Sequence, residues 1–313
     1  MADSEDPVVV RRLIGEVDAK RMSKHLFHLA KAPLPYRKLN LTLPGHGKNT
    51  LYEADDYIAS RLDGHGYTVE REGVPVQAFR RDTSKPKTTQ YSPPGPEDPV
   101  YTAYNLYVEI KGRSHPEKII LVCAHKDSQS WIDSPGANDN AIGTVGALEM
   151  ATVLAGHSPG CTIRFLWCNE EHTPWTSVAA AQNARARGDD IVAVFNLDGI
   201  GVKTDEQKVE GKMTNVMGYT KPEGRKLAEL VIEVGTRYAI GLEQRIAERP
   251  GPGDDDGSFV LAGYPAAIIC IGSWPYGDSE YHSEGDIPER CDVGNAAQTV
   301  QAVLAAALVL GSN

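Results

Sequence analysis

Hydrophobic positions change their spacing repeatedly along the chain, and from residue 104 onward short apolar runs alternate with segments of helical periodicity. The runs predict strands and the periodic segments predict helices, because side chains alternate along a strand and recur roughly every 3.6 positions along a helix. Such alternation is typical of an α/β protein with a mostly parallel sheet covered by helices on both faces. Strands are predicted at 105–110, 119–123, 162–167, 191–197, 215–219 and 266–271, with helices at 140–154, 178–187, 224–238 and 293–310.

The first hundred residues show a less regular pattern. Helices are predicted at 16–30 and 54–62, and a strand at 67–70. Residues 80–100 are rich in Arg, Lys, Ser, Thr and Pro, which is typical of a polar loop or insertion, with a lid or an oligomer contact as the alternative. No internal repeat divides the chain, so we expect a single domain over residues 1–313.

Composition narrows the class of protein. The 313 residues are 41% hydrophobic and 24% charged, as in an ordinary globular protein, and the net charge of −10 argues against nucleic acid or an anionic membrane as the main partner. The five cysteines show no paired spacing and are expected to be buried small side chains.

The sequence also bears on membrane association and secretion. The most apolar stretch, 302–310, is shorter than a membrane span requires, so no membrane association is expected. Residues 1–7 show neither the basic nor the apolar region of a secretory signal. We therefore expect a cytoplasmic protein, or a secreted one if the chain has lost an earlier segment.

The chemical signals lie directly after predicted strands, where ligands collect in α/β proteins. His125 follows the strand at 119–123, and Asp127 comes two positions later, so in extended backbone both side chains point the same way. That spacing suits a metal ligand and a carboxylate that orients its ring by accepting the second N–H. A histidine with a purely structural role is the alternative.

Further carboxylates follow the same rule. Asp139 precedes the helix at 140–154, either as an N-cap or as a carboxylate whose two oxygens can bridge two ions. The pair Glu170–Glu171 is costly at an apolar strand end unless a cation relieves the repulsion; one member can bind metal while the other moves a proton. Asp198 ends the next strand, with an ordinary Asp-Gly turn as the alternative.

The last candidates are Tyr281 and His282, which follow a loop that carries Trp274 and Tyr276. His282 can supply a second imidazole, and Tyr281 either donates its hydroxyl to an oxyanion or simply packs. Imidazole and carboxylate ligands without thiolates suit a borderline divalent ion such as zinc. The whole set predicts a metal site with a water-activating base, and therefore hydrolysis.

These motifs, in this order, resemble those of peptidase family M28, the di-zinc aminopeptidases: His-x-Asp after a strand, Gly-Ala-x-Asp-Asn at a helix start, Glu-Glu, a later Asp and a C-terminal His. The resemblance spans about residues 119 to 286. It implies a three-layer α/β/α sandwich of the zinc-exopeptidase type, with a mixed, mostly parallel sheet, and two zinc ions per chain. By this resemblance, one zinc is held by His125, Asp139 and Asp198, and the other is held by Asp139, Glu171 and His282. The remaining implied roles are general base for Glu170, orientation of the His125 ring for Asp127 and hydrogen-bond donation to the oxyanion for Tyr281.

The activity implied by this resemblance is removal of N-terminal residues from a peptide or small amide substrate. Three alternatives stay open: a hydrolase of non-peptide amides, a glutaminyl cyclase on the same scaffold with a single zinc, and a non-catalytic binding module. The oligomeric state is not indicated by the sequence. Trp131, Trp175 and Trp274 lie near the candidate residues and are expected to line an apolar pocket for a bulky first side chain.

The chain departs from the family pattern in two places. Residues 172–177 replace the glycine-rich run that often follows Glu-Glu, so the backbone there is expected to differ. Asp254, Asp255 and Asp256 stand where many members have Ser-Asp-His. We expect this acidic triplet to be a solvated loop, with a further cation site as the alternative.

Overall fold

A long sheet runs through the centre of the computed structural model, which describes residues 5–128, 130–274 and 276–311. Within these residues the eight strands of the sheet follow the order β1-β4-β6-β5-β7-β10-β8-β9. Strands β6, β5, β7 and β10 are mutually parallel, as are β8 and β9, whereas the other three pairings are antiparallel. The strands are β1 (Glu70–Gln77), β2 (Arg80–Arg81), β3 (Tyr91–Ser92), β4 (Val100–Ile110), β5 (His115–His125), β6 (Cys161–Cys168), β7 (Asp190–Leu197), β8 (Thr214–Tyr219), β9 (Glu243–Glu248) and β10 (Ala267–Ile271).

Helices cover both faces of this sheet. The helices are α1 (Pro7–Gly15), α2 (Ala19–Ala30), α3 (Thr50–Asp63), α4 (Ile142–Val153), α5 (Thr176–Arg187), α6 (Asp205–Val209), α7 (Pro222–Arg237), α8 (Asp254–Leu261) and α9 (Val293–Leu310). One face packs against α1, α2, α3, α4, α7 and α9, and the other packs against α5 and α8. The predicted three-layer α/β/α sandwich with a mixed, mostly parallel sheet is therefore confirmed.

Strand β5 shows how the sequence produces this layering. Ile120, Val122 and Ala124 belong to the larger core on one face, and the residues between them, Leu121 and Cys123, belong to the core on the other. Both sets are buried because a central parallel strand has helices above and below it. An unbroken apolar run at this position is therefore the expected pattern.

The structure differs from the predicted elements mainly near the N-terminus and at the edges. Helix α1 lies ahead of the predicted helix at 16–30, and Asp18 begins a separate helix α2 by accepting the backbone N–H of Lys20. Strand β1 starts at Glu70, so the strand predicted at 67–70 was placed too early. Strand β9 was not predicted, because an edge strand with the sequence EQRIAE buries too little apolar surface to show an alternating pattern.

The polar segment at 80–100 contains the small antiparallel pair β2–β3 and the start of β4. Tyr91 in this segment is buried, and its hydroxyl donates to Asp133 at 2.5 Å. Lys38 Nζ donates to the same carboxylate at 2.9 Å. The segment is thus anchored on the side of the molecule that carries the candidate site.

Helix α9 is long and apolar enough to cross a membrane, with 18 residues and a mean hydropathy of 1.5, and 67% of it is buried in the protein. It packs against α1, α2, α4 and α7. These contacts account for the apolar surface of α9. The most apolar stretch of the sequence, residues 302–310, is only half of this helix. Residues 1–4, on which the expectation of a missing secretory signal partly rests, lie outside the described residues.

Candidate metal centre

The candidate residues converge beyond the carboxyl ends of three neighbouring parallel strands. His125 ends β5 and pairs with Cys168 of β6, two residues before Glu170. On its other side β5 pairs with β7, which ends one residue before Asp198. Because the strands run in the same direction, their ends bring these groups to the same edge of the sheet.

Asp127 is the best-connected carboxylate of the centre and is fully buried. One oxygen accepts the backbone N–H of Glu170 at 3.0 Å and the Nδ1 of His125 at 3.2 Å. The other accepts the backbone N–H of Glu171 at 2.9 Å and the Nδ1 of His172 at 2.6 Å. Burial raises the pKa of Asp127, but the hydrogen bonds from His125 and His172 outweigh it and hold the pKa well below its usual range. Asp127 therefore orients His125 and shapes the Glu170–His172 turn at once.

The turn before α4 presents Asp139. Gly136 adopts a left-handed conformation with φ +59°, and a Cβ at that position would lie 2.4 Å from the carbonyl oxygen of Asp139. The carboxylate of Asp286 accepts the backbone N–H groups of Asn138 and Asp139 at 2.7 and 3.1 Å. The residue that caps α4 is Ala141, so the alternative of Asp139 as an N-cap is wrong.

The Asp139 carboxylate lies between the two imidazoles. Its Oδ1 is 3.1 Å from the Nε2 of His125, and its Oδ2 is 2.8 Å from the Nε2 of His282. The Oε1 of Glu171 is 2.9 Å from the Nε2 of His282, and the Oδ1 of Asp198 is 3.7 Å from the Nε2 of His125. All five positions that the sequence assigned to metal thus meet at one place, with Asp139 between the other groups.

Two overlapping groups of side chains have ligand atoms within 4.8 Å of one another. One contains His125, Asp139 and Glu171, and the other contains His125, Glu170 and Asp198. Glu170 therefore lies as near to the imidazole as a metal ligand does, so distance alone does not separate a base from a ligand at this position.

The chemistry of these groups fits divalent cations. Burial raises the pKa of Glu171 to about 7 and that of Asp198 to about 6. Burial, and then the carboxylate of Asp255, raises the pKa of Glu170 well above its usual range, and its Oε2 has no hydrogen-bond partner among the described residues. Clustered carboxylates that repel one another in a buried site are relieved by a bound cation. Imidazole and carboxylate oxygens together form a donor set that zinc accepts.

Tyr281 and His282 lie on the loop between β10 and α9. The ring of Tyr281 stacks on that of His282 with centroids 3.9 Å apart, and about half of the Tyr281 side chain is exposed. Burial of its hydroxyl end, together with the nearby carboxylates, raises the pKa of Tyr281 above its usual range. The phenol therefore keeps its proton and can donate a hydrogen bond into the site.

A cavity of about 240 Å³ opens directly onto this centre. Its lining combines carboxylates with apolar and aromatic side chains and one arginine. Its lining consists of Asp139, Glu170, Glu171, Asp198, Arg249, Asp254, Ile269, Ile271, Trp274, Tyr276 and Tyr281. The centre and an apolar wall thus share one cavity, which is the usual form of a small-molecule or peptide-end site.

The model of peptidase family M28 matches residues 105–307, well over half of the chain. The chain belongs to peptidase family M28. It is 25% identical to a probable zinc metalloprotease of Pyricularia oryzae, an alignment that covers 96% of this chain and 65% of the relative. Two further relatives, probable zinc metalloproteases of Pyrenophora species, are also longer than this chain. The alignment spans 58% of the length of each.

Solved structures show the same fold. The LapA aminopeptidase of Legionella pneumophila superposes with a TM-score of 0.74 at 18% identity, covering 100% of this chain and 77% of that one. A glutaminyl cyclase of Bacteroides thetaiotaomicron superposes with a TM-score of 0.70 at 16% identity, covering 94% of this chain and 98% of that one. The expected zinc-exopeptidase fold is therefore confirmed for this M28 chain.

The acidic triplet of the M28 chain is not a solvated loop, as the sequence suggested. Asp254, Asp255 and Asp256 form the first turn of α8, and Asp255 and Asp256 are fully buried. Arg249, also buried, donates to Asp254 at 2.6 Å and to Asp256. The expectation was wrong because a run of three carboxylates gives no sign that Arg249, five residues before the run, folds back to pair with it.

The expected tryptophan pocket is only partly present. Trp274 lines the cavity, whereas the ring of Trp131 packs on Phe79 with centroids 4.6 Å apart, away from it. Trp175 precedes α5 and is not among the lining residues. The apolar wall comes instead from Ile269 and other residues of β10 and the loop that follows it.

Arg37 is a residue that sequence reasoning missed. It is fully buried, and its guanidinium donates to four backbone carbonyls. Two of these carbonyls belong to Lys126, next to His125, and to Gly136, in the turn before Asp139, at 2.6 and 2.7 Å. Arg37 thereby joins the two loops that carry metal-ligand candidates, although in the sequence it looks like a solvated loop residue.

Proposed function

We propose that this M28 chain is a zinc-dependent aminopeptidase that removes the N-terminal residue of a peptide or small amide at a two-zinc centre. The observation that carries the proposal is the Asp139 carboxylate, with one oxygen 3.1 Å from His125 and the other 2.8 Å from His282. A carboxylate placed between two imidazoles can bind two cations at once. Family membership and relatives named as zinc metalloproteases support the same reading.

The proposed ligands follow from this geometry. His125, Asp139 and Asp198 would hold one zinc ion, and Asp139, Glu171 and His282 would hold the other. Bound zinc lowers the pKa of a coordinated water and polarises the carbonyl group of the substrate.

Within this scheme Glu170 is the proton carrier. Its pKa is raised by burial, and within the part of the chain that the structure describes its Oε2 has no hydrogen-bond partner, so the group is placed to accept a proton from water and to pass it to the leaving amine. Asp127 fixes the ring of His125 through Nδ1, which leaves Nε2 directed to the centre.

Tyr281 completes the proposed set. It lines the cavity and keeps its hydroxyl proton, so it can donate a hydrogen bond to the oxygen that becomes negatively charged during attack. The stacking of its ring on His282 holds the hydroxyl near the substrate carbonyl.

The deciding experiment measures zinc content and turnover of leucine p-nitroanilide by the purified protein, before and after a chelator. We expect about two zinc ions per chain, loss of activity with the chelator and recovery when zinc is restored. Bound zinc without turnover would overturn the aminopeptidase proposal. N-terminal glutamine peptides and non-peptide amides would then be assayed, since a glutaminyl cyclase shares the fold. The cytoplasmic location stays a prediction.

A further inference from the structure

One carboxylate on the cavity wall has no role in the proposed function. Among the described residues that line the cavity, Asp139, Glu170, Glu171 and Asp198 are assigned to metal or to proton transfer. The remaining one is Asp254, at the start of α8, and 39% of its side chain is exposed. It therefore presents a negative charge to the cavity that no proposed step uses.

The Asp254 carboxylate is held in a fixed orientation. The buried guanidinium of Arg249 donates to its Oδ2 at 2.6 Å and to Asp256 with its other terminal nitrogen. Burial raises the pKa of Asp256 to about 8, so the Arg249 charge pairs chiefly with Asp254, through one oxygen of that carboxylate. Its Oδ1 makes no hydrogen bond among the described residues.

The backbone at this position is also unusual. Asp254 adopts a left-handed conformation with φ +58°, which L side chains rarely adopt and which glycine adopts freely. The neighbouring position is Gly253, so glycine occurs in this very turn. The left-handed backbone makes glycine a tolerated substitution at position 254, and the test below uses it.

An aminopeptidase has to distinguish a free N-terminus from an internal peptide bond. The distinguishing group is an ammonium with three N–H donors, and a carboxylate is a strong, charge-assisted acceptor for it. We propose that Asp254 accepts the α-ammonium group of the substrate, while Ile269, Ile271 and Trp274 on the same cavity contact the first side chain. This inference rests on the aminopeptidase function proposed above.

The test compares Asp254→Asn with the wild-type protein, both loaded with zinc. The substitution keeps the shape of the side chain and removes its charge. With leucine p-nitroanilide we expect kcat/KM to fall about 10–100-fold, mainly through a higher KM, because the ammonium is bound equally in the ground state and the transition state.

Two further variants separate recognition from structure. Asp256→Asn alters the other partner of Arg249. Asp256 is buried and does not line the cavity, so we expect this change to lower stability and to leave KM near the wild-type value. Asp254→Gly relieves the left-handed backbone but also removes a partner of Arg249, so we expect the melting temperature to stay near the wild-type value while KM rises. An unchanged KM in both Asp254 variants would overturn the proposal. So would a loss confined to substrates with Lys or Arg as first residue, since Asp254 would then contact a side chain.

A binding measurement keeps this inference separate from the proposed activity. Calorimetry with leucinol and with 4-methylpentan-1-ol, which lacks the amine, compares ammonium recognition without any reaction. We expect wild type to prefer leucinol by at least about tenfold and Asp254→Asn to lose that preference. Absence of turnover by the wild type would refute the aminopeptidase function alone. An equal preference in wild type and Asp254→Asn would refute the role of Asp254 alone.

Discussion

The two histidines of the candidate centre stand in contrasting surroundings. His125 ends a central strand, is almost fully buried, and has its second nitrogen fixed by Asp127. His282 lies on the long loop before α9 with a left-handed φ of +55°, partly exposed and stacked on the half-exposed Tyr281. We call the first region, around His125, Asp127 and Glu170–His172, the strand side, and the second, residues 272–292, the loop side.

The difference shows which part of the centre is built by the fold alone. On the strand side, hydrogen bonds from backbone and imidazole groups position the ligands without help from a cation. On the loop side, the contacts of His282 Nε2 among the described residues are the carboxylates of Asp139 and Glu171. We infer that the strand side is preorganised and that bound metal contributes more to the order of the loop side.

Glu170→Gln is the strongest test of the chemistry assigned to the strand side. The amide keeps the size of the side chain but cannot accept the proton, so kcat is expected to fall by about 10²–10⁴-fold. Zinc content should stay at the wild-type level, because this side chain is proposed as a base and not as a ligand.

Parallel measurements of zinc content and of leucine p-nitroanilide turnover check this outcome. Loss of a zinc ion in the variant would make Glu170 a ligand, in line with its position beside His125 and Asp198. Normal turnover would remove it from the mechanism.

The sequence predicts the strand side well because its signals are local. His125 and Asp127 are two residues apart at the end of an apolar run, and Glu170–Glu171 follow another, so parallel strands bring them together. The same logic predicts most central strands and helices, including α9 with its bounds at Val293 and Leu310.

Most of the residues that sequence reasoning missed depend on contacts distant along the chain. Arg37 lies 99 positions from Gly136, whereas Arg249 lies only 5 and 7 positions from the carboxylates that it pairs with, in a turn that looks solvated. Their charge normally indicates exposure, and only the fold reveals that carbonyls or carboxylates surround them. His172 is similar, since its partner Asp127 is 45 positions away.

Removing one carboxylate from each side tests the difference in preorganisation. Asp127→Ala leaves several buried donors without an acceptor, and we expect it to lower the free energy of unfolding by about 3–5 kcal/mol. Asp278→Ala is the matched change on the loop side, where the buried carboxylate accepts from Asn138 and the backbone of Glu280 at 3.0 Å and, more weakly, from the partly exposed Arg290 at 3.4 Å. A loss of only about 1–2 kcal/mol is expected there.

Urea unfolding of both metal-free variants measures the two losses. Equal decreases in the free energy of unfolding would show that the strand side is no better organised than the loop side. The different surroundings of the two histidines would then not affect stability.

The smallest expected effect is the pH dependence of the metal-free protein. Glu171 and Asp198 have folded-state pKa values raised to about 7 and about 6, so the folded chain binds more protons than the unfolded chain between about pH 4 and pH 7. Stability from these groups is therefore present at low pH and lost as pH rises through that range. Raised pKa values of His125 and His282 act in the same direction, whereas the lowered values of Asp127 and Asp139 act only below about pH 4.

Urea midpoints with a chelator, taken from about pH 5 to about pH 7.5, are expected to fall as pH rises. With zinc restored the slope should flatten or reverse, because cations hold the carboxylates ionised and the imidazoles neutral in the folded state. A metal-free protein whose stability rises over this range would mean that the carboxylates are separated in solution. The loop side would then open without metal, carrying His282 away from Glu171, and the contrast between the two sides would be larger than the distances here indicate.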